Sequence, residues 1–178
     1  MWIDDRPLHG VLALDLSSTV GWAIGDLRGD KVPKTGTWHL PHVGGEGARY
    51  AAFENVLAEH MDLWQPEAVV CEAPLPLPAL NNWRSACQQF ALRAFVAAEC
   101  WRCSAAFSEV DVHTARAEVM GTRRLGKDVA KQEVYRFCKR RGIAVNSHHA
   151  ADAAVVWLWH TQRVAGVMPV AGPLWAAE

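Results

Sequence analysis

Apolar residues recur along this chain with two different periods. Residues 10–15, Gly-Val-Leu-Ala-Leu-Asp, form an almost unbroken apolar run that ends on a carboxylate, the pattern of a buried strand. Ser17 and Ser18 stand where a turn is needed, and residues 19–26 read as the hairpin partner. Residues 34–40 set Thr35, Thr37 and His39 against Gly36, Trp38 and Leu40, which predicts a third strand. From 46 to 64 the period changes. Tyr50, Phe53, Val56, Leu57, His60, Met61 and Trp64 fall at helical spacing, and Pro66 stops the helix. A fourth strand covers 67–72. Pro74, Pro76 and Pro78 then exclude both helix and central strand. Asn81 and Asn82 can cap a long helix that runs to about residue 102. Residues 104–110 predict a fifth strand, and Asp111 can cap a short helix that ends near Gly121. Helices over about 128–141 and 148–165 follow, then a tail broken by Pro169, Gly172 and Pro173.

The opening strands are joined by short turns and should pair antiparallel. The later ones are reached through helices and should be parallel. The expected fold is therefore α/β: a mixed five-stranded sheet, three antiparallel strands then parallel ones, flanked by helices. With no repeat and no internal boundary, residues 1–178 read as a single domain with loosely ordered ends at 1–9 and 167–178. A hydrophobic share of 51% argues against disorder, and no apolar run approaches the ~20 residues of a membrane helix. The start, Met1-Trp2-Ile3-Asp4-Asp5-Arg6, lacks the basic-then-apolar order of a secretory leader. A cytoplasmic setting with no membrane partner is expected. The five cysteines (71, 87, 100, 103 and 138) then read as reduced thiols. Cys100-Trp101-Arg102-Cys103 offers two of the four ligands a structural zinc requires, so packing at a helix end is the expectation there.

Charge adds an asymmetry that the net value of −1 conceals. Residues 113–142 hold nine Lys or Arg against three acids, and the remainder holds nine against sixteen. A basic stretch of that density is a candidate phosphate-binding surface, although a solvated helix face has the same composition.

Four positions carry candidate chemistry. Asp15 and Glu72 end apolar runs, at the strand edge where open α/β sheets bind ligands. Asp15 could also belong to the turn Asp-Leu-Ser-Ser-Thr, its short polar side chain bonding to the backbone, whereas Glu72 is a poor turn residue. Asp152 shares a helix face with His149, three residues away, and with His148, four away; spacing alone does not choose between them. Ala150, Ala151, Ala153 and Ala154 would let this helix lie close to the sheet. Three carboxylates and an imidazole favour a hard cation, Mg²⁺ or Mn²⁺. Two such ions about 4 Å apart are the arrangement that hydrolyses phosphodiesters.

On these residues the chain resembles the RuvC-type Holliday junction resolvases. Residues 12–23, Leu-Ala-Leu-Asp-Leu-Ser-Ser-Thr-Val-Gly-Trp-Ala, and 69–72, Val-Val-Cys-Glu, are similar to the family's first two acidic motifs. His149-Ala150-Ala151-Asp152 is similar to the third, and residues 112–131 to its basic segment; together the likeness covers about residues 10–160. The resemblance implies an RNase H-like fold, a homodimer, two divalent metal ions per active site, and cutting of four-way junctions and other branched DNA. It implies Asp15, Glu72, His149 and Asp152 as catalytic metal ligands, and it selects His149 over His148. It raises Arg116, Arg123, Arg124, Lys127 and Lys131 to DNA-backbone contacts. Branch-migration or other recombination proteins become expected partners. Family members often carry an aromatic wedge three positions after the strand glutamate; here that position is Leu75, with Trp83 or Trp64 as possible help in unstacking bases. Candidate dimer faces are those of Phe90, Leu92, Phe95 and Val96, and of Trp157 and Trp159.

Two other readings compete. Asp15-Leu16-Ser17-Ser18-Thr19 is also similar to the first phosphate loop of actin-like and sugar-kinase nucleotide-binding proteins, but those need two such domains and a second glycine-rich motif. A junction-binding scaffold that does not cut DNA is the other.

Overall fold

The computed structural model describes residues 10–74, 83–121 and 127–164, without the side chains of Lys127 and Asp128. Its sheet runs in the order β3-β2-β1-β4-β5. The strands are β1 (Gly10–Asp15), β2 (Thr19–Asp26), β3 (Lys34–His39), β4 (Ala68–Glu72) and β5 (Ala106–Val110). β1 pairs antiparallel with β2 and parallel with β4; β2–β3 is antiparallel and β4–β5 parallel. The expected mixed topology is the observed one. β1 is central because each of its six residues is buried, as an apolar strand covered on both faces must be.

Side-chain alternation divides the core in two. Leu12, Leu14, Val69 and Cys71 face α1 (Gly45–Trp64) and α2 (Trp83–Cys103). Val11, Ala13, Ala68 and Val70 face the other way, toward α3 (Val112–Met120), α4 (Lys127–Arg140) and α5 (His148–Val164). The alanines of α5 at 150, 151, 153 and 154 are fully buried, so this helix lies directly on β1 and β2. Gly21 of β2 completes that approach. A Cβ there would overlap the carbonyl carbon and oxygen of His149 and stand 2.9 Å from the Ala150 nitrogen.

Boundaries differ from the sequence reading by one or two residues. β5 starts at Ala106 rather than 104, because α2 continues to Cys103 and Ser104 reverses the chain at φ 58°. β3 ends at His39; Leu40 leaves the ladder, although its N–H donates to Ser18 O at 3.3 Å. The proline loop from 75, the Asn81-Asn82 cap, the basic loop at 122–126 and the tail from 165 lie outside the described residues. No helix among the described residues is long and apolar enough to cross a membrane. All five cysteines are free; burial pushes the Cys100 thiol up to about 12, which suits packing rather than ligation.

The expected dimer faces require correction. Leu92, Val96 and Trp157 are fully buried inside one copy of the chain. Phe95 packs on Tyr50 and Phe53, and Trp159 donates to Glu118 beneath Arg163. Trp64 belongs to an aromatic cluster with Trp22, Trp38 and His60 and is not available as a wedge. What α2 does expose is a different stripe. Trp83, Phe90 and Trp101 are 70%, 45% and 84% exposed and project within about 20° of one direction. Ala94 and Ala98, also exposed, lie between them.

Candidate active site

Leu14 of β1 pairs with Cys71 of β4, so the next residues along the two parallel strands, Asp15 and Glu72, end side by side. Both follow the alternation of Ala13 and Val70 and therefore point at α5. α5 begins over this edge. Ser147 caps it, its Oγ accepting from Ala150 N at 3.0 Å. His149 and Asp152 then look back at the strand ends.

Two pairings hold the cluster. His149 Nδ1 lies 2.6 Å from Asp15 Oδ2, with Ser17 Oγ 3.4 Å from the same nitrogen. Arg116 of α3 donates through Nη2 to Asp152 Oδ1 at 2.7 Å. The side chains of Arg116 and Asp152 are only 17% and 12% exposed. Asp111 sets the direction of α3 as expected, its carboxylate accepting from Thr114 N at 2.9 Å. His148 stays outside the cluster, its ring edge-on to Tyr135 at 5.8 Å.

The electrostatics are those of crowded acids. Burial, then the charges of Asp15 and Asp152 and a hydrogen bond shared with Asp15, push the Glu72 carboxyl up to about 9, while Arg116 pulls it down. Burial also raises Asp152, against the pull of Arg116. The hydrogen bond to Asp15 raises His149 above its ordinary value; burial and Lys131 oppose it. One guanidinium and one imidazole thus face three carboxylates.

A pH dependence follows for the protein without divalent ions. Between its ordinary 4.5 and about 9, Glu72 holds more proton in the folded than in the unfolded chain, so stability falls as pH rises through that window. His149 acts in the same sense above 6.5. The urea midpoint in EDTA should therefore decline from pH 5 to 9, and Glu72→Gln should flatten the decline. A midpoint that rises with pH would contradict this electrostatic description.

Three carboxylates and an imidazole are donors suited to a hard divalent cation, and the strained protonation of Glu72 is what a cation would relieve. Among the described residues, however, no three His, Cys, Asp or Glu side chains stand at metal-holding distances. The His149–Asp15 and Arg116–Asp152 pairs engage one ring nitrogen of His149 and one oxygen of each carboxylate. The residues fit a cation once these two pairs part.

The other expected DNA contacts fall in different places. Arg116 points into the carboxylates rather than outward, because α3 packs against α5 and a buried Asp152 needs a positive partner. Lys131 on α4 lies close enough to His149 to act on its charge. Trp83 is exposed at the start of the described part of α2. Lys127 opens α4, with its side chain outside the description; Leu75, Arg123 and Arg124 lie outside the described residues. Ser17 and Ser147 were missed by the sequence reading. A serine directly before a helical His-His pair is an N-cap signal that could have revealed the second.

The strand order of the mixed five-stranded sheet, with helices on both faces, is that of an RNase H-like fold. The fold is similar to that of Thermus thermophilus RuvC, with TM-score 0.67 and 16% identity over 88% of this chain and 96% of that one. It is also similar to T. thermophilus RuvC in complex with Holliday junction substrate (TM-score 0.69, 14% identity, 88% and 95% covered). The yeast mitochondrial Holliday junction resolvase Ydc2 shares it at TM-score 0.54 and 12% identity, over 92% of this chain and 85% of that one. No protein-family model and no curated protein matches the chain by sequence.

Proposed function

We propose that this protein is a homodimeric, structure-selective endonuclease that resolves four-way (Holliday) junctions and related branched DNA, leaving 5′-phosphate and 3′-hydroxyl ends. The observation that carries this reading is the convergence of Asp15, Glu72, His149 and Asp152, from three distant segments, into one acid-rich cluster at the carboxyl edge. Among the structures with the same fold, one holds a Holliday junction substrate and another is a Holliday junction resolvase.

Asp15, Glu72, His149 and Asp152 would hold two divalent cations, Mg²⁺ or Mn²⁺, which supply an acidified water and stabilise the leaving 3′ oxygen when bound. Burial of the acids lowers the local dielectric and strengthens their field. His149 must be neutral to ligate, so cutting declines on the acid side. Arg116, released from Asp152, can meet a phosphate oxygen with its forked donors. Lys131, with Arg123, Arg124 and Lys127, holds the duplex by its backbone without reading sequence. The exposed indole of Trp83 offers a surface on which an unpaired base can stack.

Paired incision of a four-way junction needs two sites related by a two-fold axis. Phe90, Ala94, Ala98 and Trp101 of α2 form the apolar face best suited to join two copies. Phe90→Glu combined with Trp101→Glu should yield a folded monomer in analytical ultracentrifugation; an unchanged sedimentation coefficient would place the interface elsewhere.

The activity itself is tested with a labelled four-way junction, Mg²⁺ or Mn²⁺, and linear duplex and flap controls. Symmetric nicks that a ligase can reseal are the expected product. A junction left intact across metals and pH overturns the proposal and leaves a scaffold role.

A further inference from the structure

The β1–β2 turn has two sides. Ser17 lies against His149 on one. Ser18 opens on the other onto a polar groove of about 600 Å³ between the start of α1 and the start of the described part of α2. Two arginines line it. Arg49 is held in place, donating through Nη1 to Gln88 Oε1 at 2.8 Å and through Nε to Pro41 O at 3.4 Å. Arg84 is exposed, and no described residue pairs with it. His42 and Ser85 add polar groups, and Glu46 is the one acid among the lining residues. The groove is thus cationic, concave and open, and it lies on the α1–α2 side of the sheet. Lys131 lies on the opposite side, on α4. The carboxylate cluster sits between them.

We infer that this groove binds a second stretch of DNA backbone, so that Arg49 and Arg84 grip one arm of a branched substrate while Lys131 grips another across the carboxylates. The inference rests on the junction-cleaving reading and names the surface that separates a junction from a linear duplex. The lining offers charge and hydrogen bonds rather than the apolar walls that bury a small ligand. A phosphodiester run asks only for cations along an accessible track. A linear duplex laid on the Lys131 side has no reason to cross the turn, whereas a second arm of a junction does.

Binding by the non-cutting Asp15→Asn protein in Mg²⁺, measured over a salt series, tests this. Arg84→Glu should weaken junction binding at least tenfold and leave linear duplex binding within about twofold. Arg84→Ala should reduce the slope of log K against log salt by about 1, and Arg84→Lys should retain it. Arg28→Ala, the same charge loss at the far edge of the sheet, should leave the slope unchanged. Wild-type junction affinity and slope in Arg84→Glu overturn this inference alone. A parent protein that binds no junction overturns the proposed function and this inference with it.

Discussion

Asp15→Asn and Glu72→Gln should each abolish the proposed junction cleavage, by about 10³-fold or more, and leave junction binding intact. Each change keeps the size of the side chain and removes one of the carboxylates that would hold the divalent cations of the proposed site. A second readout does not depend on activity. Saturating Mn²⁺ should stabilise the wild-type chain by ~2.7 kcal/mol at a hundredfold excess over Kd. For a protein of this size that is roughly 5–10 °C in Tm. The variants should lose most of this shift. Glu72→Gln should also melt higher than wild type in EDTA at pH 8, because the acid it replaces is buried against like charges. A variant that keeps cutting would show that these carboxylates are structural. Loss of DNA binding with the metal shift retained would move the catalytic centre elsewhere.

Gly21→Ala is expected to fail in another way, losing stability and cleavage together. Its Cβ would occupy the space of the His149 carbonyl group. No rotamer change relieves that overlap, because both partners are backbone: β2 on one side, the first turn of α5 on the other. Separating them costs about 3 kcal/mol or more and carries His149 away from Asp15. Gly47→Ala is the matched control. It lies within α1 with nothing within 4 Å of the added methyl, and it should gain about 0.5–1 kcal/mol from helix propensity. Chemical denaturation measures both. A Gly21→Ala protein as stable and active as wild type would mean that α5 does not seat on β2 as described.

Much of this architecture was legible along the chain. An apolar run closed by a carboxylate is buried on both faces and ends at the sheet edge whatever surrounds it, and this placed Asp15 and Glu72. Short turns and helical crossovers decided which strands run antiparallel. The alanines around Asp152 announced a helix lying close to the sheet. The stripe on α2 was harder. Leu92, Val96, Phe90 and Trp101 all look like interface material in one dimension. Only the position of the sheet shows that the first two fill its core and the others face outward.

Local periodicity, then, determined the elements, their order and the strand ends on which the acids sit, because backbone geometry over a few residues dictates which side chains share a face. Partner choice belonged to the tertiary structure. That Arg116 turns inward to Asp152, that His149 rather than His148 meets Asp15, and that Arg49 and Arg84 border one groove all depend on packing between segments far apart in the chain. Such contacts reflect the depth and tilt at which a helix settles on a sheet, and no spacing within one segment encodes that.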